Sequence, residues 1–230
     1  MPTTIPTARN RAMSIVQRLA VAFTVLAACG GGGESAPDKK RDSSALPMVV
    51  SEDGFSFANF SSASTTELLD ASDLIEIFGD GVCASGSGDT CKPTTEAAAW
   101  AQMVNDSRAF GHCEGMAVVS SDRFSRSILP KTATLANEGD VTHAIIRAFA
   151  SQFFPSVIDA TRDLRDKSLD DKISLIEDSL AGGSLEYSIG IYSGGGGHTV
   201  LPWSVEWSAD STALIHVYDS NWPGTDQIGR

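Results

Sequence analysis

A thiol, an imidazole and a carboxylate can share the work of acyl transfer, and the types and spacing of three residues in this chain suit that chemistry. Cys113 stands in Gly111-His112-Cys113-Glu114-Gly115-Met116-Ala117. A glycine-led turn followed by an apolar helix puts its thiol at a helix N-terminus, where the dipole and open backbone N–H groups favour a thiolate. The same N–H groups, that of Cys113 first, can hold a developing oxyanion. A nucleophile also needs a base, and the chain has 4 histidines. His112 adjoins the thiol, and neighbours on a helix point to different sides. His143 falls within an expected helix and reads as an ordinary surface or core histidine. His198 follows four glycines and opens a strand as Gly197-His198-Thr199-Val200. His216 lies in Leu214-Ile215-His216-Val217-Tyr218-Asp219. The two-residue period of a strand puts Asp219 on the face of Ile215 and Val217, away from His216. Asp219 therefore selects His198, with Asn221 as the fallback for the third position. In this scheme Cys113 attacks an acyl carbon, His198 shuttles the proton and Asp219 orients the imidazole.

The other cysteines have different expected fates. Arg9, Arg11 and Arg18 precede a ten-residue apolar stretch, residues 19–28, which ends in Leu26-Ala27-Ala28-Cys29. That stretch is too short to span a bilayer. Its end resembles the lipobox of bacterial lipoproteins, which implies cleavage before Cys29 and acylation of the Cys29 thiol. Gly30 follows, with no Asp there to signal inner-membrane retention, so the resemblance implies the outer membrane or cell surface. Cys83 and Cys91 flank the flexible Ala-Ser-Gly-Ser-Gly-Asp-Thr segment and would form a disulfide in an oxidising compartment. Cys113 is then left as the free thiol.

The elements that must position these groups follow from pattern. Residues 1–28 are set aside as a signal peptide. Residues 29–47, glycine-rich and then charged, read as a lipidated flexible tether. Residues 48–230 read as one globular domain. Helices are expected from 65 to 78, 94 to 103, after Gly111, and across 141–154 and 155–180, by apolar spacing. Strands are expected at 185–192, 198–207 and 213–219, which alternate and are rich in β-branched and aromatic residues. Helices followed by strands make an α+β domain.

The formal charge is −12, and removal of three arginines and no acid would leave −15. Such acidity argues against nucleic acid. Hydrophobic residues at 42% suffice for a packed core. Gly194 to Gly197 lack the Lys and following helix of a phosphate loop. No cofactor or metal is called for.

Gly-His-Cys-x-Gly-Met-Ala, Gly-Gly-His-x-Val and Val-Tyr-Asp-x-Asn-x-Pro-Gly, in this order, resemble bacterial papain-like and C39-like cysteine peptidase domains. The resemblance covers residues 78–224 and implies a papain-like fold, a helical N-terminal part before antiparallel strands, with a peptide, isopeptide or other acyl bond as the target. Papain-like enzymes carry an oxyanion-hole Gln about six residues before the nucleophile. Ser107 stands there, so Asn105, with Gln102 behind it, is the candidate amide. The chain runs only 11 residues past Asp219, which suggests a reduced or C-terminally truncated sheet. Two other readings stay open. One is a catalytically inactive surface module binding protein or glycan. The other is a zinc site built from His112, Cys113, His198 and Asp219.

Overall fold

A computed structural model describes residues 19–23, 42–193 and 196–229. In chain order the elements are β1 (Leu19–Phe23), β2 (Ser44–Ala45), α1 (Val50–Asp53), α2 (Ala71–Phe78), β3 (Cys83–Ser85), β4 (Lys92–Pro93), α3 (Thr95–Ser107) and α4 (Cys113–Ser125). They continue with α5 (Gly139–Ala150), α6 (Pro155–Arg165), α7 (Leu169–Ala181), β5 (Tyr187–Ser193), β6 (Gly196–Trp207), β7 (Ala213–Tyr218) and β8 (Asp226–Gly229). The domain is α+β: most helices precede β5–β8, but β1 and β2 of the same largely antiparallel sheet come before α1.

The sheet runs β1-β5-β6-β7-β8, with β2 also paired to β6. β6 is the axis. Its first half pairs β5 (Ile191 opposite His198), and its second half pairs β7 (Leu201 opposite Tyr218). The register slips between Pro202 and Ser204, as expected where proline removes a ladder donor. β1 pairs β5 in parallel.

Two expected boundaries move. Ser44 and Ala45 pair with Val205 and Ser204, so the folded body begins inside the segment read as tether. The helix expected from residue 65 starts at Ala71. Asp70 caps it, accepting from the N–H groups of Ser72 and Asp73, while the Asp73 side chain accepts from the Asp70 N–H. The preceding backbone is held outside a helix by side chains: Asn105 clasps Leu69 through both its N–H and C=O. The sheet also continues past Asp219 into β8, through Tyr218 opposite Asp226. Cys83 and Cys91 form a disulfide with Cα atoms 5.4 Å apart. The signal-peptide reading and the Cys29 lipid site lie outside the described residues, except for the backbone of Leu19–Phe23.

α4 is the helix where the two halves meet. Ala117 joins the cluster under the sheet, with Ile173, Ile176, Leu180, Ile189, Val200 and Val217. Met116 joins Phe55, Phe60 and Ile145 on the helical side. α4 lies so close to α5 that a Cβ on Gly115 would come within 2.2 Å of the Ile145 carbonyl oxygen. Burial on both flanks fixes the direction of α4, and with it the position of Cys113 at its first turn.

Candidate active site

The turn before Cys113 is built for close approach. Gly111 has φ +130°, and a Cβ there would meet the Asn59 amide nitrogen at 2.6 Å. Both reasons demand glycine. His112 is fully buried and stacked on Phe60, with ring centroids 4.3 Å apart. Its Nδ1 bonds the Phe60 carbonyl, and its Nε2 accepts from Arg108 Nε at 2.7 Å. Burial drives this imidazole down to about 4, despite the Phe60 bond, and the Arg108 charge adds to the depression. His112 is thus a neutral brace for the turn. With both nitrogens committed it cannot join Cys113, His198 and Asp219 around a metal.

Cys113 is the first residue of α4 and is partly exposed. Its N–H lies in the first turn, where no intrahelical acceptor exists. His198 enters from β6. Its Nε2 lies 2.7 Å from Asp219 Oδ1, with Asn221 Nδ2 at 3.4 Å. The Cys113 side chain lies close enough to the ring to favour its charged form. Since Nε2 faces the carboxylate, Nδ1 is the nitrogen available to the thiol. Burial works against charging this imidazole, but the bond to Asp219 and the nearby Cys113 outweigh it and push it up to about 9. Asp219 follows β7 and also accepts from the Asn221 N–H at 2.8 Å. Burial opposes its charge, and the bonds from His198 and Asn221 more than compensate, holding it below the usual carboxylate range. The structure therefore brings Cys113, His198 and Asp219 together. His216 turns the other way and pairs with Asp226 on β8 at 2.7 Å.

Asn105 is a correction. Its amide nitrogen donates to the Leu69 carbonyl at 3.1 Å, and its oxygen accepts from Leu69 N–H and from Arg108. It clasps the loop at Leu69, and its amide is turned to that loop rather than to the thiol. A different amide stands at the turn. Asn59 Oδ1 accepts from the His112 N–H at 2.7 Å, and Asn59 Nδ2 donates to Asn221 Oδ1 at 3.2 Å. The Asn59 backbone N–H donates to the Ser220 carbonyl at 2.8 Å. One residue thus links the turn before Cys113 to the loop that carries the carboxylate. The sequence held one cue for it: Gly111 needed a close neighbour, although nothing said which.

His143 belongs to a separate cluster. Its nitrogens lie 2.7 Å from Asp73 Oδ2 and 2.9 Å from Glu67 Oε2, and Arg147 bonds the other Asp73 oxygen at 2.6 Å. Asp70, Asp73 and His143 have ligand atoms within 4.8 Å of one another. Burial opposes the charge on His143, but the bonds to Asp73 and Glu67 raise it. With Arg147, it already balances these carboxylates.

No protein-family model, curated protein or solved structure matches the chain.

Proposed function

We propose that this chain is a papain-like cysteine hydrolase, acting on a peptide or other acyl bond and held on the outer face of a membrane by lipid at Cys29. The observation that carries the reading is a single imidazole bonded to a carboxylate through Nε2, with a helix-N-terminal thiol beside it that favours its charged form. A base charged through neutral pH stabilises a thiolate partner. The thiolate attacks the acyl carbon, and the carbonyl electrons move onto oxygen. The Cys113 N–H is one donor for that oxyanion. Asn59 Nδ2 supplies the second, since an amide has two hydrogens and Asn221 takes only one. His198 gives its proton to the leaving group as the tetrahedral species collapses to a thioester. It then takes a proton from water, which attacks the thioester and frees Cys113. Asp219 keeps Nε2 occupied, so proton traffic runs through Nδ1.

Alkylation by iodoacetamide at pH 6.5 tests this. An unassisted thiol is only about 1% thiolate at that pH, so Cys113 should react faster than a free thiol, and His198→Ala should slow it about tenfold or more. A rate equal to that of a free thiol, untouched by His198→Ala, would remove the catalytic reading and leave a surface-binding module on the same scaffold.

A further inference from the structure

The residue after the nucleophile is a glutamate with no part in the steps above. Glu114 is buried, 7% exposed, on a helix whose partners at that level are strands. Its Oε2 and Oε1 lie 3.2 and 3.5 Å from Ser188 Oγ on β5. The side chain of Thr199 on β6, the residue that follows His198, lies close enough to act on the same carboxyl. Gly190 stands opposite Thr199 in the ladder and puts no side chain between them. The carboxyl group next to Cys113 in the chain is therefore bonded to β5 at Ser188 and stands beside Thr199, the neighbour of His198. Ser188 and Thr199 are themselves buried, so both contacts lie away from water, where an unmade bond is costly.

We propose that Glu114 is a positioning residue that fastens the nucleophile helix to the β5–β6 hairpin through Ser188 and Thr199, and so holds Cys113 opposite His198. The inference rests on the thiol–imidazole reading above. Loss of the carboxyl leaves the buried Ser188 hydroxyl without its acceptor and removes the polar tie nearest the thiol. The apolar contacts of Met116 and Ala117 remain, so the helix stays while its first turn loosens.

Burial raises the Glu114 carboxyl above the usual carboxylate range, against the lowering influence of Thr199 and Ser188. Both partners are hydroxyls rather than cations, and the gap beside the carboxyl measures about 10 Å³. That is room for about one water, too little to hydrate a carboxylate. In this gap the observed role of the carboxyl is to accept from the Ser188 hydroxyl. An uncharged amide of the same shape can do the same work, which separates Glu114 from a catalytic acid.

The test uses the folded chain and two readouts: Cys113 alkylation at pH 6.5, and the His198 imidazole titration followed by NMR. Glu114→Ala should slow alkylation about tenfold and lower the His198 midpoint, because the thiol no longer supports its charge. Glu114→Gln should restore both toward the parent protein. If Glu114→Ala fails to fold, Thr199→Val removes one hydroxyl without changing shape and should slow alkylation about threefold. Either of two results overturns the inference: folded Glu114→Ala or Thr199→Val with both readouts unchanged, or Glu114→Gln as damaging as Glu114→Ala. Should His198→Ala also prove silent, the thiol–imidazole reading falls too. Should His198→Ala slow alkylation while the Glu114 and Thr199 variants do nothing, only the positioning role falls.

Discussion

Replacing Asp219 by Asn removes the charge that holds His198 protonated, and the size of the effect follows from the site. The imidazole is lifted from 6.5 to about 9. At about 1.4 kcal/mol per pH unit, that corresponds to a ceiling of about 3 kcal/mol. The His198 side chain is 24% exposed, so solvent screening lowers the figure to about 2 kcal/mol. The thiol supplies part of it. In a Cys113→Ala background the Asp219 share is then about 1 to 2 kcal/mol, which in a domain of this size shifts the melting temperature by about 3 to 6 °C. The sign is set by the direction of each shift. His198 is raised on folding, so its contribution is complete below pH 6.5 and is lost as pH climbs through the folded value. Asp219 is lowered from 3.8, so its contribution holds above that value and is lost as pH falls through the depressed one. Melts of Cys113→Ala and Cys113→Ala/Asp219→Asn should therefore differ most between about pH 4 and 6.5 and converge toward about pH 9. NMR should show the His198 midpoint falling to 6.5 or lower, since burial alone is left to act on it. A difference that is flat in pH, or that grows in alkali, would refute the pairing as the source of the His198 charge.

Asn59→Ala should separate two roles that an inert framework residue would not separate. Iodoacetamide alkylation develops no oxyanion, so its rate should change about threefold at most, whereas acylation by an activated ester should fall about a hundredfold; equal losses in both would reduce Asn59 to a brace for the turn. Gly115→Ala drives a methyl group into the Ile145 carbonyl and within 3.0 Å of the Phe149 nitrogen. Backbone cannot rotate aside, so α4 and α5 must part at a cost of about 1 to 3 kcal/mol, read as a lower melting temperature; an unchanged melt would contradict the close helix contact.

What could be read in the sequence was what local rules reach. Strand period put Asp219 on the face away from His216, and that inference needs only six consecutive residues. The start of α4 was legible from Gly111 and the apolar run behind Cys113. The start of α2 falls later than the sequence pattern suggests, because Leu68 and Leu69 look helical by spacing. The stronger cue was Asp70 with Asp73 three residues on, a reciprocal cap written with aspartates in place of the usual Ser/Thr and Glu. β8 carries Ile228 as its sole large apolar residue, so no alternation announced it. Its place depends on pairing with β7, supported by the His216–Asp226 contact.

Asn105 and Asn59 show where local reasoning stops. Asn105 is the candidate amide by sequence because it lies near the thiol along the chain. Proximity in sequence is a poor guide here, because Arg108 and His112 intervene and turn the chain. Arg108 is fully buried and reaches His112, Asn105 and the Glu67 carbonyl together. That network directs the Asn105 amide toward residues 67–69, away from the thiol. The amide that meets the turn comes from 53 residues upstream of His112 and touches a loop 162 residues downstream of itself. No periodicity marks such a residue, because its segment forms neither helix nor strand and its value lies in polar contacts made only after both halves of the chain have packed on α4. The site is therefore a product of closure: Cys113 is set by the helical half, His198 and Asp219 by the sheet, and Asn59 and Glu114 are the polar ties between the two.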